Sequence, residues 1–62
     1  MNYDLKLSGF KTVSCDSIDL AMYACFRKYP KAYFSDWQET SKQVWLNVYN
    51  NNVIVGKIFE VM

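Results

Sequence analysis

Two apolar segments in the second half of the chain decide its fold: QVWLNVY at residues 43–49 and VIVGKIFEV at residues 53–61. Both are rich in β-branched and aromatic residues, a composition typical of strands. The segment between them is NNN at residues 50–52, and asparagine readily adopts the positive φ angles of a tight turn. The pattern predicts a β-hairpin.

Both faces of this hairpin are apolar, because alternate side chains of a strand point to opposite sides. In the first strand Trp45 and Tyr49 lie on one face, and the other face holds Val44, Leu46 and Val48. In the second strand Ile54 and Ile58 lie on one face, and the other face holds Val53, Val55, Phe59 and Val61. One helix covers only one face of a small sheet, so the second face is expected to contact a partner.

The sequence leaves two registers of the hairpin open. A two-residue turn places Leu46 and Val48 on the face of Val53, whereas a three-residue turn places them on the face of Ile54. In both registers the aromatic side chains of the first strand lie on the sheet face away from the helix.

The first residues of the chain predict a further strand. Residues 2–7 alternate between apolar and polar side chains, which is the pattern of a half-buried strand. Ser8 and Gly9 interrupt it, and residues 10–13 either continue the strand past a bulge or turn back as a short second strand. We favour continuation.

Residues 17–29 are predicted to form a helix. Their apolar residues recur at intervals of three and four, which gives one apolar stripe, and Asp16 or Ser17 can cap the first turn. Arg27 and Lys28 in the last turn complement the negative end of the helix dipole, and Pro30 ends the helix.

The remaining elements complete a small α+β domain. Residues 32–34 predict a short strand, with Asp36 and Trp37 at its end, and residues 38–42 a polar connection. The order β-α-β-β-β predicts a single domain over residues 1–62, with a single helix packed on one face of a small antiparallel sheet.

Size and charge limit the function. Of the 62 residues 52% are hydrophobic, enough for a folded domain, and the formal net charge is +1 with no long run of either sign. This charge favours neither a nucleic-acid mimic nor a dominant electrostatic grip on phosphate. No segment has the length and hydropathy of a signal peptide or a membrane span, so a cytoplasmic protein that binds no membrane is expected.

Few residues suited to catalysis or metal binding are present. The chain has no histidine, which is the commonest general base and zinc ligand. Cys15 and Cys25 are expected to be reduced thiols that pack in the core. Gly9 and Gly56 are isolated and belong to strands rather than to a phosphate-binding loop. The sequence therefore predicts a protein that is not an enzyme and binds no metal or cofactor.

The first candidate binding surface is the sheet face around Trp45 and Tyr49. Both residue types are enriched at the energetic centres of protein interfaces, because they bury a large area at low entropic cost. This face could dock a protein partner or a second copy of the chain. The alternative is that the N-terminal segment or Trp37 folds over this face and hides it.

The second candidate surface is the basic cluster of Arg27, Lys28 and Lys31, with Tyr29 and Tyr33 close by in the sequence. Basic and aromatic side chains together are typical of proteins that bind single-stranded nucleic acid. The interpretation that we favour is simpler, namely that basic residues in the last helical turn complement the helix dipole.

In size, element order and lack of catalytic residues, the chain resembles the small single-domain proteins with which phages and mobile elements block host defence or host machinery. These include anti-CRISPR proteins that pack one helix on an antiparallel sheet. The resemblance implies an inhibitor without a cofactor, which acts in the host cytoplasm by occupying the working surface of a host protein complex.

We therefore expect a noncatalytic protein-binding module that also forms a homodimer. The expected partner-binding residues are Trp45, Tyr49, Trp37, Arg27, Lys28 and Lys31. The alternatives are a small nucleic-acid-binding protein and a structural subunit of a larger assembly.

Overall fold

The computed structural model of the chain describes residues 2–61, which form a six-stranded antiparallel sheet with one helix packed on one face. The elements are β1 (Asn2–Leu7), β2 (Val13–Cys15), α1 (Ile18–Lys28), β3 (Tyr33–Phe34), β4 (Gln38–Glu39), β5 (Val44–Asn50) and β6 (Val53–Val61). The strand order is β2-β1-β6-β5-β3, and β4 also pairs with β5. The predicted α+β fold class is confirmed, and the elements follow roughly the predicted order, with the short strands β2 and β4 added.

The chain reverses direction after β1, so the prediction that the first strand continues through residues 10–13 was wrong. Gly9 has a φ angle of 82°, and the Phe10 N–H donates a hydrogen bond to the Leu7 carbonyl at 3.0 Å. This turn brings β2 back antiparallel to β1, with Cys15 opposite Tyr3. A glycine at positive φ therefore marks a turn here rather than a bulge within one strand.

The helix closely follows its prediction. Ser17 is the N-cap residue, and its Oγ accepts a hydrogen bond from the Leu20 N–H at 3.2 Å. Lys28 is the last helical residue, and the C-cap residue Tyr29 directly precedes Pro30. On the side that faces the sheet its small residues Ala21 and Cys25 are completely buried, which allows a close approach between helix and strands.

The β5–β6 hairpin has a two-residue turn. Asn51 and Asn52 have φ angles of 53° and 63°, and Asn50 pairs with Val53 across the turn. Positive φ at both central residues is the geometry of a type I′ turn, whose twist matches that of the flanking strands. The asparagines therefore act as predicted.

The two-residue register holds only next to this turn, because β6 contains a bulge. From Gly56 onward Leu46 and Val48 share a face with Gly56, as the three-residue turn predicted. Tyr49 pairs with Ile54, but Val48 pairs with Gly56, so Val55 is the extra residue. As a result Ile54 and Ile58, which were expected on one face, lie on opposite faces of the sheet.

The physical reason for the bulge is the position of Lys57. If the pairing that begins at the turn continued without interruption, Leu46 would pair with Lys57 and the lysine would face the helix. Burial of an unpaired ammonium group is costly. With the bulge, Leu46 pairs instead with Ile58, which is completely buried, and Lys57 is exposed.

The core lies between the helix and the sheet face that carries Ile58. Its members are Leu5, Leu7, Cys15, Ala21, Cys25, Ala32, Leu46, Val48 and Ile58. Gly56 pairs with both Leu7 and Val48 in this layer. A Cβ atom at position 56 would lie 2.6 Å from Leu7 Cδ2 and 3.0 Å from Leu7 Cα, so only glycine fits between these strands.

Gly56→Ala is expected to lower the free energy of unfolding by about 2 kcal/mol, because the added methyl group meets backbone atoms that cannot move independently of β1. Urea denaturation followed by circular dichroism measures the change. Gly9→Asn is the control, since asparagine tolerates positive φ and position 9 is open, and it should stay within about 0.5 kcal/mol of the parent protein. Equal stability of Gly56→Ala and the parent would show that the strands do not approach this closely.

Candidate protein-binding surface

The sheet face away from the helix, here called the outer face, carries two groups of aromatic and aliphatic side chains, which are separated by the row of paired residues Asn47, Lys57 and Lys6. On β5 it holds Trp45 and Tyr49, which confirms the prediction that these two residues lie opposite the core. In β6, Ile54 lies opposite Tyr49, and beyond the bulge Phe59 lies opposite Trp45. In β3, Tyr33 pairs with Tyr49 at the edge of the sheet. The apolar members of the outer face are Tyr33, Trp45, Tyr49, Ile54, Phe59 and Val61.

The rings of the outer face are ordered by contacts with one another. Tyr33 stacks on Tyr49, with ring centroids 5.2 Å apart and an interplanar angle of 10°. The Tyr33 hydroxyl donates a hydrogen bond to Asn52 Oδ1 at 2.7 Å. Trp45 lies beside Phe59 with a centroid distance of 6.5 Å. These contacts fix the orientation of the rings before any partner binds.

Two lysines lie over this aromatic surface. The Nζ atom of Lys6 is 5.2 Å from the centroid of Phe59, and that of Lys57 is 5.6 Å from the centroid of Trp45. The bulge leaves an open hollow of about 360 Å³ between these lysines, bounded by Ile54 and Phe59. The middle of the outer face is therefore polar and positively charged, and aromatic and aliphatic side chains lie on either side of it.

The burial of the outer face is uneven. Ile54 is 50% exposed and Tyr33 is 46% exposed, whereas Trp45, Tyr49 and Phe59 are half-buried. The half-buried rings are shielded in part by each other and by the lysine chains. An apolar surface therefore remains in contact with solvent, although it is smaller than the sequence alone suggested.

Asn47 lies between Trp45 and Tyr49 on β5, and its side-chain oxygen is the feature of the outer face that sequence analysis missed. Asn47 Oδ1 is buried and has no hydrogen-bond partner among the described residues. Its backbone N–H donates to Ser35 Oγ at 2.9 Å, and its carbonyl accepts from the Ser35 N–H at 3.0 Å. An unsatisfied buried acceptor costs about 1–3 kcal/mol, which needs an explanation in a native surface.

Trp37 does not belong to the outer face. Its ring contacts Tyr3 with a centroid distance of 6.2 Å, and Tyr3 lies on the helix side of the sheet with Leu5. The alternative in which Trp37 hides the outer face is therefore wrong. Residues 2–7 do not cover it either, because β1 lies within the sheet between β2 and β6.

The basic cluster lies at the end of the helix, away from the outer face. Arg27 and Lys28 are exposed in the last turn, and Lys31 is exposed in the following turn. The aromatic neighbour of the cluster is Phe10, whose ring centroid lies 4.7 Å from Lys28 Nζ. Sequence analysis missed this contact, because it depends on the reversal of the chain at Gly9.

The tyrosines near the basic cluster have other structural roles. Tyr33 stacks on Tyr49 on the outer face. Tyr29 is half-buried, and its N–H donates to the Cys25 carbonyl at 2.7 Å at the helix end. The stacking platform that the sequence placed beside the lysines therefore does not form there.

Both thiols are buried, which favours their protonated form. Burial raises the pKa of the Cys15 thiol, and the negative charges of Asp16 and Asp4 raise it further. Burial and then the neighbouring Cys15 raise the pKa of Cys25 to about 11. A protonated thiol is a weak nucleophile. Within residues 2–61 no three histidine, cysteine or acidic residues come together as a metal-binding group.

The pKa of Cys25 predicts a loss of stability at alkaline pH. The ordinary pKa of the thiol, which applies in the unfolded chain, is 9.0. Below this pH the thiol is protonated in both the folded and the unfolded state, and its contribution to the free energy of unfolding is complete. Between pH 9.0 and about 11 the unfolded chain loses the proton while the folded chain keeps it, so the free energy of unfolding should fall by about 1.4 kcal/mol per pH unit from this group. Urea denaturation from pH 8 to pH 11 should show a shallower decline for Cys25→Ala than for the parent, and identical slopes would contradict the assignment.

No protein-family model matches the chain, and searches of curated proteins and of solved structures gave no match either. In the part of the chain that the structure describes, no helix has the length and hydropathy needed to cross a membrane. The geometry of the outer face and of the basic cluster therefore supplies the functional argument.

Proposed function

We propose that the chain is a noncatalytic protein-binding module that docks on a partner protein through its outer face and inhibits that partner by covering its working surface. The observation that carries this proposal is the outer face itself, a set of mutually ordered aromatic rings on a sheet whose opposite face already holds the core.

The composition of the outer face suits a protein interface. Trp and Tyr are the residue types in which binding energy concentrates, and rings held by neighbours lose little further conformational entropy on binding. The hollow beside Phe59 offers space for apolar side chains of a partner. Lys6 and Lys57, which lie between the two aromatic groups, favour a partner whose acidic residues are flanked by apolar side chains.

Asn47 supports the same surface. Its unsatisfied Oδ1 lies between the two aromatic groups, where a hydrogen-bond donor of a partner would satisfy an acceptor that the described residues leave unpaired.

The biological setting in this proposal is that of a phage-encoded or mobile-element inhibitor in the host cytoplasm. It rests on the resemblance in size and architecture to anti-defence proteins, and on the absence of any need for a cofactor in inhibition by occupation. A second copy of the chain is a competing occupant of the outer face, which would make the protein a homodimer.

Replacement of both Trp45 and Tyr49 by Ser is expected to abolish association, because it removes the two largest anchors of the outer face. Comparative affinity purification from the cytoplasm of the native host, together with analytical ultracentrifugation, measures loss of a partner protein or of a homodimer. Leu20→Ser with Tyr23→Ser is the matched control, since these residues are 52% and 63% exposed on the helix.

The control should recover the same partner as the parent protein, and circular dichroism should show an intact helix in both double variants. Unfolding of the Trp45 and Tyr49 variant would show that these residues belong to the core and would remove the proposal. Recovery of a stoichiometric multi-protein particle through the outer face would favour a structural subunit instead of an inhibitor.

Nucleic-acid binding is the second candidate function, favoured by the placement of lysine ammonium groups over aromatic rings on the outer face. Titration of labelled single-stranded and duplex oligonucleotides at 50 mM and 200 mM salt tests it. A phosphate-binding site predicts a steep loss of affinity at the higher salt concentration, whereas the protein-docking proposal predicts no binding under either condition.

A further inference from the structure

The net charge of +1 conceals a separation of charge along the molecule. One row of paired residues crosses the sheet through Cys15, Tyr3, Glu60, Val44 and Glu39. This row contains the carboxylates of Glu39 and Glu60. Cys15, at one end of the row, is followed by the N-terminus of α1, where Asp16 precedes the N-cap residue and Asp19 lies in the first turn.

Four of the seven basic residues lie towards the opposite end of the molecule. At about 1.5 Å per residue, α1 places Arg27 and Lys28 about 12–14 Å along its axis from Asp19 in the first turn. Lys31 follows the helix, and Lys11 lies in the turn after β1. We call these four residues the basic end.

An apolar groove opens at the basic end, between α1 and the β1–β2 hairpin. Its volume is about 260 Å³, and its wall includes Phe10 and Val13, which are 50% and 48% exposed. The complete lining consists of Leu5, Leu7, Phe10, Lys11, Val13, Ala24 and Lys28. The groove therefore has aliphatic walls, one ring and two ammonium groups.

A second, shallower hollow adjoins the groove. It is lined by Ala24, Arg27 and Lys28, and it shares Ala24 and Lys28 with the groove. An apolar group seated in the groove would thus lie next to a hollow bounded by two cations. The three cations that line the groove and the hollow, Lys11, Arg27 and Lys28, are all exposed.

We propose that this groove is a docking site for an acidic segment of a partner protein, which inserts one large apolar side chain into the groove and places adjacent carboxylates against Lys11, Arg27 and Lys28. The site lies apart from the outer face and so goes beyond the function proposed above. Charge complementarity selects the acidic partner, and the aliphatic walls select the apolar anchor.

The dimensions of the groove favour a single side chain over other ligands. Small-molecule and cofactor sites have volumes of about 300–1,000 Å³, and this groove is smaller. A nucleic acid would use the cations but not the aliphatic walls, because bases stack on flat aromatic surfaces. Phe10 is the one ring in the lining, and Lys28 already lies over it.

Selection from a displayed library of random 12-residue peptides on the immobilised full chain tests the site. The expected motif has Leu, Ile or Phe next to Asp or Glu. Fluorescence anisotropy with the selected peptide should show an affinity loss of about tenfold or more for Phe10→Ser and for Lys28→Glu. Lys42→Glu is the matched control, because Lys42 is exposed outside the basic end, and it should leave the affinity unchanged.

Other outcomes overturn the inference. These are selection of peptides without an acidic and apolar motif, peptide binding that Phe10→Ser and Lys28→Glu do not weaken, and tighter binding of a single-stranded 12-mer oligonucleotide than of the peptide at the same salt concentration.

The double variant Trp45→Ser, Tyr49→Ser separates the two proposals. If it keeps peptide binding, the sites are distinct. If it alone loses peptide binding, the peptide docks on the outer face, and this inference fails while the proposed function stands.

Discussion

The close pairing of Gly56 with Leu7, next to the bulge at Val55, is the constraint on which the rest of the structure depends. Because position 56 lacks a side chain, β6 can lie directly beside β1 in the core layer. Because Val55 is an extra residue, the alternation of β6 changes sides at this point. Ile58 consequently enters the core and Lys57 stays outside, so one irregularity determines the composition of both sheet faces.

The two faces of the sheet shield their apolar side chains from water in different ways. The helix face is filled by small helical residues such as Ala21 and Cys25 packed against aliphatic strand residues, and Trp37 contacts Tyr3 on that side. The outer face has no second layer from the helix, and its rings are shielded by stacking and by lysine chains. Such shielding lowers the cost of exposure in water while leaving the rings available to a partner.

The separation of acidic and basic residues gives this small molecule an uneven electrostatic field. Neighbours along the sequence alternate in sign enough that no run stands out, yet antiparallel pairing collects Glu39 and Glu60 in one row, and the helix carries Arg27 and Lys28 to the far end. A field of this kind orients an approaching partner more than it strengthens the final contact. The groove at the basic end places an apolar surface next to cationic side chains.

The sequence by itself determined the elements that depend on local backbone preferences. Asn51 and Asn52 specified the hairpin turn, and the helix followed from its apolar period, its Ser17 cap and Pro30. The sequence also placed Trp45 and Tyr49 opposite the core, because that follows from alternation alone.

Only the tertiary structure decided the bulge, the return of β2, the side of the sheet on which Trp37 lies and the contact between Phe10 and Lys28. Each of these depends on which distant backbone segments pair, and that choice is made by the burial of side chains such as Ile58 and the exclusion of Lys57 from the core.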